Sequence, residues 1–385
     1  MNPDDNNNEE NLIPELLLYE GDGDDSSDIE AQEDSVSQPG NSASTPLLRV
    51  TKAVKKTNKL PKESVMPTWA ATQHILEKQK KPEIVKTNCE VVAPLFRNSP
   101  HDYATLWTVL SLTQEINAQV LGNGKCLITL DIAILNDAYK LRSSVRNNNW
   151  VLCPGKLHEI FADEHALGKV AEGSGLDTIA IESGVYSAAA LRGIYGGKNY
   201  TRGLEHHIMN AIVIICCKLE AVYGSEYPAA LKAQTERFRK ALHNEQPEAS
   251  EIYEDLSTYY SENIKEQFPP CDQGLPKFLN NYLIQVETVL ASIAAVHSRD
   301  FEAGLTLLDK KVKYYGAEDL PNYFTAIQIY LDEMCKLKRE DPATWERLKK
   351  DPVVSKSTEA FVNLFIDQAL EQEIKEIIEP SGCHK

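Results

Sequence analysis

Four residues in this chain have the types and spacing to do acid–base or metal chemistry: Asp131, His158, Asp367 and Glu371. Asp131 closes an apolar run, Leu127-Ile128-Thr129-Leu130, that turns at once into a helical pattern. Ligands of parallel α/β sheets gather at that end of a strand. His158 follows the next strand, just past Gly155, so it falls one strand spacing from Asp131. Together they could bind a divalent ion or form an acid–base pair. The alternative is that Asp131 caps its helix and His158 bonds a turn carbonyl. Asp367 and Glu371 are spaced i, i+4 and share one helical face. With Asp131 they could hold Mg²⁺, a hard cation that prefers carboxylate oxygen. Glu159 and Asp163, also four apart, form another face of the helix that carries His158.

A second set, Tyr200, Arg202 and His206, opens a later helix and could meet an anion, Arg202 through its planar fork. Adjacent His206 and His207 diverge by about 100°, so they cannot easily share one metal. The glycines at 193, 196 and 197 lack a preceding strand and phosphate-loop spacing, and read as a turn.

Those residues need a scaffold. Strands are expected over 89–96, 126–130 and 150–153, alternating with helices over 102–121, 132–141 and 156–170. The fold class this gives is α/β, a small parallel sheet of about three strands covered by a large, mostly α-helical remainder. Ten further helices are expected from residue 176 onward, including 200–223, 250–267, 277–297, 301–313, 321–336 and 358–378. A basic amphipathic helix is expected over 68–81.

Domain organisation follows charge. The chain carries −17 overall, but residues 1–50 hold 13 acidic groups against Arg49 alone, and residues 51–90 nine Lys against four Glu. Residues 1–65 are expected to form a disordered acidic tail with a basic linker. Residues 66–385 are a single α-rich domain, with its sheet core at 85–175 and its helical part at 176–385. Within the tail, Leu12, Ile13, Leu16, Leu17, Leu18 and Tyr19 could fold as a short helix on a protein partner. The Lys52–Lys62 stretch is either a solvated linker, a nuclear-import signal or an arm that contacts nucleic acid. A mildly acidic body excludes a broad electrostatic grip on nucleic acid and leaves a local basic groove open. The eight cysteines show no zinc spacing and read as buried reduced thiols. No signal peptide is evident, and the apolar stretch 211–217 is too short to span a bilayer. The expectation is an intracellular protein, nuclear or cytoplasmic, with no membrane partner.

Read in order, the segments Val92-Ala93-Pro94-Leu95, Thr129-Leu130-Asp131-Ile132, Gly155-Lys156-Leu157-His158, Gly173-Ser174-Gly175-Leu176, Gly197-Lys198-Asn199-Tyr200-Thr201-Arg202, Asn322-Tyr323 and Ile366-Asp367-Gln368-Ala369-Leu370-Glu371 resemble a large family of mobile-element-associated proteins of invertebrates and fish. The resemblance spans about residues 85–382. It implies a nuclease- or transposase-like core, with Asp131, Asp367 and Glu371 as its acids. Two arginines of the family pattern are missing: Thr325 and Leu204-Glu205 stand in their places. The functional expectation is metal-dependent nucleic-acid processing or binding, with Mg²⁺. The alternative is a non-catalytic scaffold that recruits a partner through its acidic tail.

Overall fold

A computed structural model describes residues 67–79, 98–122, 124–197, 199–224, 227–265, 274–350, 353 and 365–367. Helix α1 spans Trp69–Gln79 and α2 Tyr103–Leu121. Strand β1, Cys126–Leu130, leads into α3, Ile132–Val145, and strand β2, Trp150–Pro154, into α4, Lys156–Ala171. The strands are parallel, in the register Cys126↔Trp150 to Leu130↔Pro154. A parallel pair requires a crossover, which α3 supplies. Helices α5 (Leu176–Glu182), α6 (Ala188–Tyr195), α7 (Tyr200–Tyr223), α8 (Ala229–His243) and α9 (Ala249–Tyr260) follow. After a π-helical turn, Ser261–Lys265, come α10 (Gly274–His297), α11 (Phe301–Ala317), α12 (Pro321–Glu340) and α13 (Pro342–Lys350).

The described sheet has two strands, not about three. The expected strand at 89–96 lies outside the described residues. Two strands suffice because helices cover them: α2 packs on β1, and α3 and α12 pack on β2. Leu110, Leu135, Leu152 and Ile327 are fully buried in the resulting core. A second core gathers around α4, which touches α6, α7, α10 and α11, with Ile160, Leu167, Leu191, Val286 and Ile293 buried. A third joins α1 to α8 and α9 through Leu76, Phe238 and Ile252.

Local chemistry sets the helix starts. The side chains of Asp102, Ser187, Asn199 and Asp300 accept from backbone N–H groups three residues on, at 2.9–3.2 Å. The helix expected to 267 leaves α geometry at Tyr260. Of the helix expected over 358–378, only 365–367 are described. One expectation needs amending. Cys126 is a buried free thiol, but Cys216 and Cys217 on the C-terminal half of α7 and Cys335 on α12 are exposed. Helices α7 and α10 are also each long and apolar enough, by length and composition, to cross a membrane. Here both pack on α4.

Candidate functional site

Register places Asp131 beside Gly155 at the C-terminal edge of the sheet, where the Gly155 N–H donates to the Leu130 carbonyl at 2.9 Å. Asp131 stands at the N-cap of α3, yet its side chain makes no capping bond. Among the described residues its half-buried carboxylate has no hydrogen-bond or ion-pair partner.

The start of α4 is capped differently. Gly155 has no side chain to offer, and the orphan amides are met by Asp367 from 210 residues away. Leu157 N–H donates to Oδ2 at 2.9 Å and Oδ1 at 3.1 Å, and His158 N–H to Oδ2 at 3.2 Å. His158 Nδ1 lies 3.1 Å from the same Oδ2. With a carboxylate as acceptor the ring proton sits on Nδ1, which makes Nε2 the basic nitrogen. A Cβ at residue 155 would come within 2.6 Å of Asp367 Oδ2, so glycine is what lets this strap close. Asp367 thus has its lone pairs largely taken up by N–H donors. It orients His158 and caps α4, a different task from the metal ligand expected of it.

Tyr323 completes the edge. Its hydroxyl donates to the His158 carbonyl at 3.3 Å. Burial, then the carboxylates of Asp131, Asp163, Glu159 and Asp367, push its phenol up to about 12. Asp131 and Asp367 therefore both bear electrostatically on one phenol. Glu371 lies outside the described residues, as do Leu12 to Tyr19 of the tail. Among the described residues, no group of three His, Cys, Asp or Glu is arranged to hold a metal ion.

Behind this edge sits a buried charge network. Lys311 of α11, 1% exposed, is ion-paired to Glu159 and, at 2.7 Å, to Asp163. Tyr315 donates to Asp163 at 2.7 Å, and Lys156 pairs with Glu159 at 2.7 Å. Two cations face two carboxylates. Burial opposes the charge on Glu159, but Lys156 and Lys311 bring its carboxyl below the ordinary range. Burial lifts Asp163 to about 6 despite Lys311. The i, i+4 pair on α4 was visible in the sequence, but its partners were not. Lys311 had one signal, because it falls in the core stripe Leu308–Lys311–Tyr315, unlike Lys310 and Lys313.

The next residue, Glu164, has no exposed surface and, among the described residues, no partner for either oxygen. It faces α7, where a Cβ at Gly203 would come within 2.8 Å of Oε2. Burial, helped by Asp163, pushes its carboxyl up to about 9, so it stays protonated at neutral pH.

Tyr200, Arg202 and His206 do not form one anion site. Tyr200 packs edge-on against Phe161, which packs on His158, each at 5.8 Å between ring centres. Arg202 is exposed, and its backbone N–H is capped by Asn199. His206 is buried, 3.3 Å from the Tyr195 hydroxyl and 3.1 Å from Asn210 Nδ2, and burial pushes it down to about 4. His207 bonds the Tyr282 hydroxyl at 2.7 Å through Nδ1, and burial pushes it down to about 3.

The chain belongs to a family described as "Domain of unknown function (DUF8702)", whose family model matches residues 69–383. No curated protein and no solved structure matches it.

Proposed function

We propose that this member of the family processes nucleic acid at the C-terminal edge of its sheet, in a metal-assisted phosphodiester reaction. The observation that carries the reading is the division of labour between two aspartates at one edge. Asp131 has an uncommitted carboxylate, while Asp367 is spent on holding His158. Mg²⁺ is often held by one or two carboxylates, with substrate phosphate and water filling the other positions. Asp131 fits that demand. His158, held through Nδ1, is placed to take a proton from water or give one to a leaving oxygen. Asp367 touches no reacting atom and acts through His158. The positive N-terminal end of α4 adds a field that favours developing negative charge beside it. The resemblance to mobile-element proteins supports a nucleic-acid substrate, and provenance from such an element is part of the proposal.

Calorimetry with Mg²⁺ and Mn²⁺, paired with cleavage of labelled single- and double-stranded DNA, tests it. Asp131→Ala should lose both metal binding and cleavage. His158→Ala should keep the metal and lose cleavage. A folded protein that binds neither ion and cuts neither substrate would overturn the proposal and leave the scaffold reading.

A further inference from the structure

The opposite, N-terminal edge of the sheet opens into a cleft of about 730 Å³ between the end of α3, the start of β2 and the last turns of α12. That volume lies in the range of small-molecule sites, roughly 300–1,000 Å³. Strand length alone separates it from Asp131 by about 17 Å, at roughly 3.3 Å per residue. Four cations line it, Lys125, Arg142, Arg146 and Lys336, against Glu333 and Glu340. In a chain of net charge −17 that local excess runs against the whole.

The four cations are not equally committed. Arg142 is fixed as wall, donating to the Trp150 carbonyl at 3.1 Å and forming a two-pronged pair with Glu333. Lys125 reaches Asp341 at 3.4 Å, and Lys336 pairs with Asp332 at 2.6 Å where both are more than half exposed. Solvated pairs of that kind exchange readily for a better anion. Arg146 is exposed and, among the described residues, its guanidinium makes no hydrogen bond or ion pair.

Cations near a helix C-terminus can simply offset its dipole. Here backbone donors already serve two of the last carbonyls of α3: Arg146 N–H donates to Ser143 and Asn147 N–H to Arg142. Arg146 itself occupies the left-handed region, φ 54° and ψ 37°, which glycine or asparagine fills at less cost. Trp150, 2% exposed, also lines the cleft, and its indole N–H is a buried donor without a partner among the described residues.

We infer that this cleft is a second binding site, one that takes the phosphate of a nucleotide-sized ligand, with Arg146 as its principal contact and Lys125 and Lys336 flanking. Glu340, which has no partner among the described residues, is placed to accept from a sugar hydroxyl. The phosphate has two possible sources, a free nucleotide or a unit of a nucleic-acid strand.

The decisive variant is Arg146→Gly, which removes the guanidinium at a position whose backbone suits glycine, so the fold is kept. Binding of labelled ATP and of a 5′-phosphorylated single-stranded oligonucleotide to the full chain is measured in EDTA. Chelation takes any ion at Asp131 out of the comparison. Arg146→Gly should weaken the bound probe about tenfold or more and lower the slope of log affinity against log salt by about one. Its melting temperature should be unchanged or higher, and Arg146→Lys should recover part of the affinity. Binding by ATP identifies the free nucleotide as source, and binding by the oligonucleotide alone identifies the strand. Probe binding is scored in EDTA and the edge site by its Mg²⁺ binding, so this site and the edge site fail separately. No binding of either probe, or equal binding by Arg146→Gly, overturns the inference.

Discussion

Glu164→Gln should change the pH dependence of stability in one direction and by a calculable amount. In the folded chain the Glu164 carboxyl titrates at about 9, against 4.5 when solvated. Between those values the folded state holds a proton that the unfolded state has released. Stability therefore falls as pH rises through this window, by about 1.4 kcal/mol per unit, and levels off above the folded value. Glutamine keeps the shape and cannot ionise, so the variant lacks this limb. Any fixed cost of burying the amide is independent of pH and drops out of the comparison. Urea unfolding of both proteins at pH 6, 7 and 8 isolates the effect, because all other groups are shared. The stability of the parent relative to the variant should decline by about 3 kcal/mol from pH 6 to pH 8. Parallel curves over that range would refute the reasoning, and would mean that Glu164 is ionised and partnered in solution.

Further expectations follow from the two ends of α4 and its flanks. Lys311→Met leaves two buried carboxylates with one cation and should cost about 3–5 kcal/mol, read by urea unfolding at pH 7. Asp131→Ala should change stability by no more than about 0.5 kcal/mol, because no capping bond is lost. Asp367→Ala should cost about 1 kcal/mol or more by removing the cap of α4. Equal losses in thermal melts of these two variants would contradict the assigned roles. His206 and His207, held neutral with folded values of about 4 and 3 against 6.5, contribute stability that is present above pH 6.5 and lost as pH falls toward 4. His207→Phe should shallow that acid limb in urea titrations, and an unchanged limb would assign it to other groups.

Helix positions were legible because their signals are local. Asp102, Ser187, Asn199 and Asp300 announce their helices within three residues, and Gly173, Gly184 and Gly196 mark the breaks between them. β1 and β2 were legible as short apolar runs on either side of a helical pattern. The site was legible only in part. Asp131 and His158 follow from strand ends, but the same pattern gave Asp131 a capping role that its side chain does not take. Asp367 was visible as a carboxylate on a helix. Its cap on α4 was not, because a bond across 210 residues leaves no mark near either partner. Glu164 looked like an ordinary helical acid, since nothing in its neighbours reveals that Gly203 lets α7 close over it.

The strap from Asp367 to the head of α4 also sets an order of events during synthesis. His158 emerges 209 residues before the carboxylate that orients it. At roughly 5–20 residues per second, a ribosome needs roughly 10–40 s to cover that distance. Throughout that interval the nascent chain carries a histidine without its aspartate and a helix without its cap. The dyad and the cap close only once residue 367 has been made.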